Sequence, residues 1–167
     1  QILQHDDLDP GYAAALARAH NEWTHEFCQH DPERLKFAAQ ISVHDAELAA
    51  LEVRHSVEEL GAIGVIGNPN PVNGRHIHDA YYDPLYETIA GLNVPLGIHP
   101  TGLSSLEDNI AARFIDAPHG AAISRQAHNP IELMLAFSSL AIGGVFEKYP
   151  TLKVAFLEGT AGWLPWW

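Results

Sequence analysis

Two ionisable residues stand at places in this sequence where a parallel α/β protein keeps its chemistry. His99 ends a strand candidate within the run PLGIHPTG, after four apolar residues, and Glu158 closes the apolar run KVAFLE. Neutral imidazole is a common metal ligand. A carboxylate at the end of an apolar strand is costly unless it is paired, hydrogen-bonded or metal-bound, so Glu158 can act as a ligand, a general acid or base, or an anchor for a substrate group. His99 alone cannot hold a metal, because catalytic zinc sites use about three protein ligands. The bland alternatives are a hydrogen-bonded structural His99 and a salt-bridged or capping Glu158.

A second group lies in the run NPNPVNGRHIHD, from Asn68 to Asp79. His76 and His78 form an H-x-H, a metal-binding spacing on a strand, where both rings share one face. Here the pair follows Asn73-Gly74, a turn signal, so the spacing carries little weight and both read as loop residues. A third group, Glu107, Asp108, Arg113, Asp116, His119, Arg125 and His128, falls in or at the end of a long connection expected from Pro100 to about Ala127. Its arginines and His119 could bind an anionic substrate, and a solvated lid is the plainer reading. His20, His25, His30, His44 and His55 read as surface residues, and Cys28 as packed. No serine elbow, phosphate-binding glycine loop or paired-cysteine motif occurs.

The elements that must position these groups alternate. A helix is expected after Asp9-Pro10, with an apolar stripe of Leu16, Ala19, Trp23 and Phe27, ending before Asp31-Pro32. Leu35 to Ile41 reads as a strand. Asp45 then caps a helix with the stripe Ala46, Ala50, Val53, Val57 and Leu60, stopped by Gly61. Ile63 to Gly67 is the next strand. Asp83 is expected to cap a third helix, with Pro84 at its first position, and Val94 to His99 is the third strand. Asn129, Pro130 and Glu132 read as the capped start of a fourth, heavily buried helix, and Lys153 to Leu157 as the fourth strand.

Consecutive strands joined through helices are parallel, with right-handed crossovers. The expected fold is therefore α/β, either a doubly wound sheet or a partial (β/α)8 barrel of about four strands. A barrel of the typical ~250 residues would be only partly supplied by 167 residues. Residues 1–167 read as a single domain. There is no starting Met and the end is GWLPWW, so both ends read as cut.

The composition, 47% hydrophobic and 18% charged, is that of a globular protein. A formal charge of −12 argues against a nucleic-acid surface, which needs clustered Lys and Arg. No run suits a membrane span or a signal peptide. One cysteine permits no internal disulfide and fits a reducing compartment, so a cytoplasmic location is expected.

The runs NPNPVNGRHIHDAYYDPLYETIAGLNVPLGIHP and ELMLAFSSLAIGGVFEKYPTLKVAFLEGTAGWLPWW resemble the amidohydrolase-related family that includes aminocarboxymuconate semialdehyde decarboxylase. The resemblance runs from about Asn21 onward. It implies a (β/α)8 barrel with a divalent metal, usually zinc, at the strand mouths. It implies that His99 is the fifth-strand metal ligand. Decarboxylase members carry a histidine where this sequence has Glu158, which puts that chemistry in question and leaves Glu158 as a candidate catalytic residue. The ligand pair of the first strand and the aspartate of the eighth have no counterpart here, and His76-x-His78 does not take the first-strand role. The loop from Asn68 is implied to line the mouth, with Asn68, Asn70, Asn73 and His76 contacting a small-molecule substrate.

The resemblance implies decarboxylation or hydrolysis of a small carboxylated or cyclic substrate by the parent protein, which can be a homo-oligomer. The rival readings are a catalytically empty half-barrel that self-associates through open sheet edges, and a small-molecule-binding α/β domain.

Overall fold

The computed structural model describes residue 3 and residues 5–100, 109–114 and 116–167, without the side chain of Arg125. Its elements run α1 (Pro10–Cys28), β1 (Ala39–Gln40), α2 (Ala46–Arg54), β2 (Val65–Gly67), α3 (Asp83–Gly91), β3 (Pro95–Ile98), α4 (Gly120–Ile142), α5 (Val145–Lys148) and β4 (Lys153–Phe156). A π-helical turn (His55–Glu59) extends α2, and short 3-10 turns cover Ala80–Tyr82 and Ile110–Phe114.

The four strands are all parallel and lie in the order β1-β2-β3-β4. A doubly wound sheet reverses its strand order at a switch point; this one does not. Sequential order with right-handed crossovers puts every helix on the same side of the sheet, which is how a (β/α) barrel is laid down. The core forms between that side of the sheet and the helices, around Val53, Val65, Ile89, Leu96, Leu133 and Leu140. Among the described residues no helix is long and apolar enough to cross a membrane.

Local signals account for several boundaries. Asp9 accepts from the Tyr12 N–H and starts α1, with Pro10 where its missing N–H costs nothing. Asp45 accepts from the Leu48 N–H and starts α2; such a cap contributes about 1 kcal/mol. Gly61, at φ +74, takes the left-handed turn that ends the segment.

Other expectations are corrected. In α1 the side turned inward is Ala13, Ala17 and Asn21, while Trp23 and Phe27 are 64% and 56% exposed. The small residues let α1 lie close to the sheet. There Asn21 pairs with the Gln40 backbone in both directions, through Nδ2 to O (2.9 Å) and N to Oδ1 (2.8 Å). Asn21 also donates to Glu52, which accepts from Arg18 and from the Ser56 hydroxyl. Each strand is shorter than expected, because only part of each apolar run finds ladder partners.

Asp83 does not cap α3. It is the first residue of that helix, and its carboxylate instead takes hydrogen bonds from Lys148 and from the Tyr149 hydroxyl. Helix α4 starts ten residues earlier than the Asn129-Pro130 pattern suggests. Residues 120–129 are rich in good helix formers, and the packed residues His128 and Glu132 hold Pro130 inside the helix. Only one side of α4 is buried; Leu135 and Ile142 are exposed.

The Asp83 cluster has a pH consequence. The hydrogen bond from Lys148 holds the Asp83 carboxyl below its ordinary range, and the same contact raises Lys148. A depressed carboxyl stabilises the fold above its unfolded pKa, and that contribution is lost as pH falls through the folded value. Asp83→Asn is therefore expected to lower the melting temperature at neutral pH and to leave it unchanged once Asp83 is protonated in the wild type. Melting curves across the acid range check this; an equal offset at every pH contradicts it.

Candidate active site

Strands β3 and β4 deliver the two strand-end candidates to one place. His99 directly follows β3, and its N–H donates to the Gly67 carbonyl at the end of β2 (3.0 Å). Glu158 follows β4 by two residues. His99 Nε2 lies 3.5 Å from Glu158 Oε1. Both groups keep access to solvent, and Glu158 is 64% exposed.

Burial is therefore not what makes Glu158 unusual. Its backbone is. Glu158 has φ +63 and Thr160 φ +56, on either side of Gly159. Left-handed backbone is uncommon for residues other than glycine, and such strain collects at functional sites. The turn is held in place at Gly159, where an added Cβ would meet Leu133 Cδ1 at 2.2 Å. The Trp163 indole N–H donates to the Gly159 carbonyl (2.9 Å). Asn129, on the neighbouring turn of α4, reaches Glu158 Oε2 at 3.4 Å.

Beside this pair stands the loop that follows β2. Asn68 Oδ1 accepts from the Asn70 N–H (3.0 Å), and Asn70 is buried. Asn73 and Gly74, both at positive φ, form a tight turn bridged by Val72 and Arg75. The Asn73 N–H donates to Asp6. His76 and His78 stack with centroids 5.6 Å apart. His78 Nδ1 is 2.6 Å from the Ser139 hydroxyl, and Asp79 accepts from the His76 N–H. The two imidazoles line a groove of about 740 Å³ against α4, with Pro69, Pro71, Glu132 and Leu135.

Glu132 is the residue that the sequence patterns hid. It reads locally as part of a capping box, yet it is buried and ties two loops together. Oε2 accepts from Asn70 Nδ2 (2.9 Å), and Oε1 accepts from the Ile110 N–H (2.7 Å). Burial raises its pKa, and these two hydrogen bonds oppose that shift. The Asn70 contact spans 62 residues, so no local spacing points to it.

The remaining histidines are sorted differently from expectation. His128 is buried within α4, 3.8 Å from Glu132, not on a lid. His44 is not a surface residue: its Nδ1 lies 2.9 Å from the Ser42 hydroxyl and its Nε2 2.7 Å from the His5 carbonyl. His25 is part-buried, 2.7 Å from the Leu60 carbonyl, and His55 sits between Glu22 and Glu59. His20 and His30 are exposed, and Cys28 is packed. Arg113 lies in a 3-10 turn and His119 precedes α4 at φ +61. Glu107, Asp108 and the Arg125 side chain lie outside the described residues.

Among the described residues no group of three or more His, Cys, Asp or Glu side chains is placed to hold a metal ion. His99 and Glu158 are two donors, and a catalytic metal needs about three from protein. On its own, the donor set of the described residues does not fit a metal ion.

The family model of the amidohydrolases matches residues 3–167. The chain belongs to the amidohydrolase family. It is 31% identical over 160 residues to a decarboxylase from Emericella nidulans, covering 92% of this chain and 47% of that protein. It is 30% identical over 153 residues to a gamma-resorcylate decarboxylase from Polaromonas sp. strain JS666, covering 87% of this chain and 45% of that protein. Among solved structures, the dihydroxybenzoic acid decarboxylase of Polaromonas sp. JS666 superposes with a TM-score of 0.71 at 28% identity, over 91% of this chain and 46% of that one. That structure holds manganese and the inhibitor 2-nitroresorcinol.

The amidohydrolase chain thus spans about half the length of the relatives it matches. Its four strands and their helices are part of a (β/α) barrel, and a divalent metal occurs in the family.

Proposed function

We propose that the protein carrying this chain is a metal-dependent carboxy-lyase of the amidohydrolase family, acting on a small carboxylated, cyclic substrate at the mouth of the barrel. The observation that carries this is the His99–Glu158 pair, two strand-end groups 3.5 Å apart beside a left-handed backbone turn. The decarboxylases that the chain resembles support the reaction class.

In this reading residues 1–167 form one domain, the middle of the barrel. His99 supplies one ligand, and the remaining ligands come from strands outside this chain. Zinc is the ion expected for a site that includes imidazole; metal analysis separates it from the manganese held by the dihydroxybenzoic acid decarboxylase. Decarboxylation breaks the bond between the ring carbon and the carboxylate, releases carbon dioxide and requires a proton at that carbon. Glu158, in reach of solvent and of His99, is the group we assign to proton transfer. Asn68, Asn70 and His76 form the substrate side of the mouth, and Asn73 shapes their loop. A cytoplasmic location agrees with the lone unpaired cysteine.

Reading the frame on both sides of this segment tests the assignment. An H-x-H or E-x-H on an upstream strand and an aspartate on a downstream strand are expected. A frame that supplies neither removes the metal from the account, and leaves His99 and Glu158 as hydrogen-bonding groups of a binding domain.

A further inference from the structure

Away from the His99–Glu158 pair, α4 and the loop after β2 bring a serine, a histidine and an aspartate together. His78 Nδ1 lies 2.6 Å from the Ser139 hydroxyl. The other ring nitrogen, Nε2, lies 3.9 Å from Asp79 Oδ1. Asp79 is fixed in turn, because its Oδ2 accepts from the His76 N–H (2.9 Å). His78 reaches α4 this closely because residue 143 is glycine; a Cβ there would collide with His78 Cβ and Cγ. Ser139 stands roughly 15 Å along α4 from Asn129, the residue that reaches Glu158.

A serine hydroxyl is a weak nucleophile until an adjacent base takes its proton. The Asp79 charge favours the tautomer protonated on Nε2, and so leaves Nδ1 to accept from Ser139. It also favours the imidazolium that forms when that proton moves. At 3.9 Å Asp79 acts as a charge and not as a hydrogen-bond partner. Ser139 and His78 are part-buried and line the groove of about 740 Å³, so a substrate can reach both. Pro69, Pro71, Ile77, Leu135 and Ile142 make the groove walls apolar, and Glu132 adds a carboxylate. With the chain's formal charge of −12, that lining suits neutral apolar groups and repels anions.

We propose that Ser139, His78 and Asp79 form an acyl-transfer site that takes small neutral esters. Ser139 Oγ attacks the ester carbonyl while His78 Nδ1 takes the hydroxyl proton. The bond from the carbonyl carbon to the alcohol oxygen then breaks, the proton passes from His78 to the departing alcohol, and Ser139 is left acylated. Water attacks the acyl group with His78 again as base, which frees a carboxylic acid and restores Ser139. His76, stacked on His78 and lining the same groove, can donate a ring N–H to the oxyanion. This activity goes beyond the carboxy-lyase reading and does not depend on it.

The experiment treats the full-length protein with an alkyl fluorophosphonate, which leaves a stable phosphonyl ester on an activated serine, and maps the adduct by mass spectrometry. An adduct on Ser139 is expected. Ser138, whose hydroxyl donates to the Met134 carbonyl and accepts from the Trp167 indole N–H, is expected to stay unlabelled. His78→Gln is expected to slow labelling of Ser139 by about a hundred-fold or more, the usual contribution of a positioned base. Asp79→Asn keeps an acceptor for the His76 N–H and removes only the charge, so labelling should slow several-fold; it guards against a loop defect in the first variant. Phenyl acetate, added as a competitor, is expected to protect Ser139 at about tenfold lower concentration than the anionic phenyl hemisuccinate. Absence of label on Ser139, or a rate unchanged in His78→Gln, overturns the acyl-transfer site. An unchanged rate in Asp79→Asn removes Asp79 from it, and equal protection by the two esters overturns the preference for neutral substrates.

Discussion

His99→Ala in the full-length protein is expected to lower affinity for its divalent metal by more than about a hundred-fold. Loss of a group that merely supports a ligand costs about ten- to a hundred-fold, and loss of the ligand itself must cost more. The substitution is structurally mild. The backbone bond from His99 N to the Gly67 carbonyl is kept by alanine, and the ring is partly exposed and makes its one described ion-pair contact with Glu158. The melting temperature of the metal-free protein should therefore hardly move, while a metal titration shifts far to the right. Wild-type metal affinity in this variant removes His99 from the ligand set.

The largest effect on stability is expected at Leu133. Its side chain is fully buried in the core between α4 and the sheet, and its Cδ1 packs against Gly159, next to Glu158. Leu133→Ala removes both the transfer free energy and the filling of that space, and costs about 2–5 kcal/mol. Leu135, two residues along the same helix, is 51% exposed; Leu135→Ala has no core packing to lose and should stay within about 0.5 kcal/mol. Denaturant titration of the two variants compares them directly. Equal destabilisation would show that α4 is not seated as described. Because Leu133 also supports the Gly159 turn, its loss should loosen Glu158, and activity should fall further than the unfolded fraction explains.

The same contrast shows where sequence reasoning succeeds and where it stops. Asp9-Pro10, Asp45 and Gly61 mark helix ends correctly because a cap and a left-handed turn are decided within a few residues. His99 and Glu158 were legible for a similar reason: an ionisable residue at the end of an apolar strand has only one region to occupy in a parallel α/β fold. The inward side of α1 was not legible. Hydrophobicity favours Trp23 and Phe27, but the approach of α1 to the sheet is settled by Asn21 reaching Gln40, Glu52 and Ser56, contacts that span 19 to 35 residues. Pro130 misled because a helix start and a tolerated interior proline look alike locally, and only the packing of His128 and Glu132 separates them. Glu132 itself was hidden, since its partners come from two other loops.

Under the proposed function His99 and Glu158 belong to the active centre of a carboxy-lyase. Carbon dioxide release by the metal-loaded, full-length protein, with small aromatic carboxylic acids as substrates, tests it most directly. Release from at least one acid is expected, with a one-for-one yield of the decarboxylated product. Glu158→Gln is expected to lower kcat by about a hundred-fold or more, the usual contribution of a positioned acid or base, with little change in KM. No release from any acid that binds, or full activity in Glu158→Gln, would contradict it.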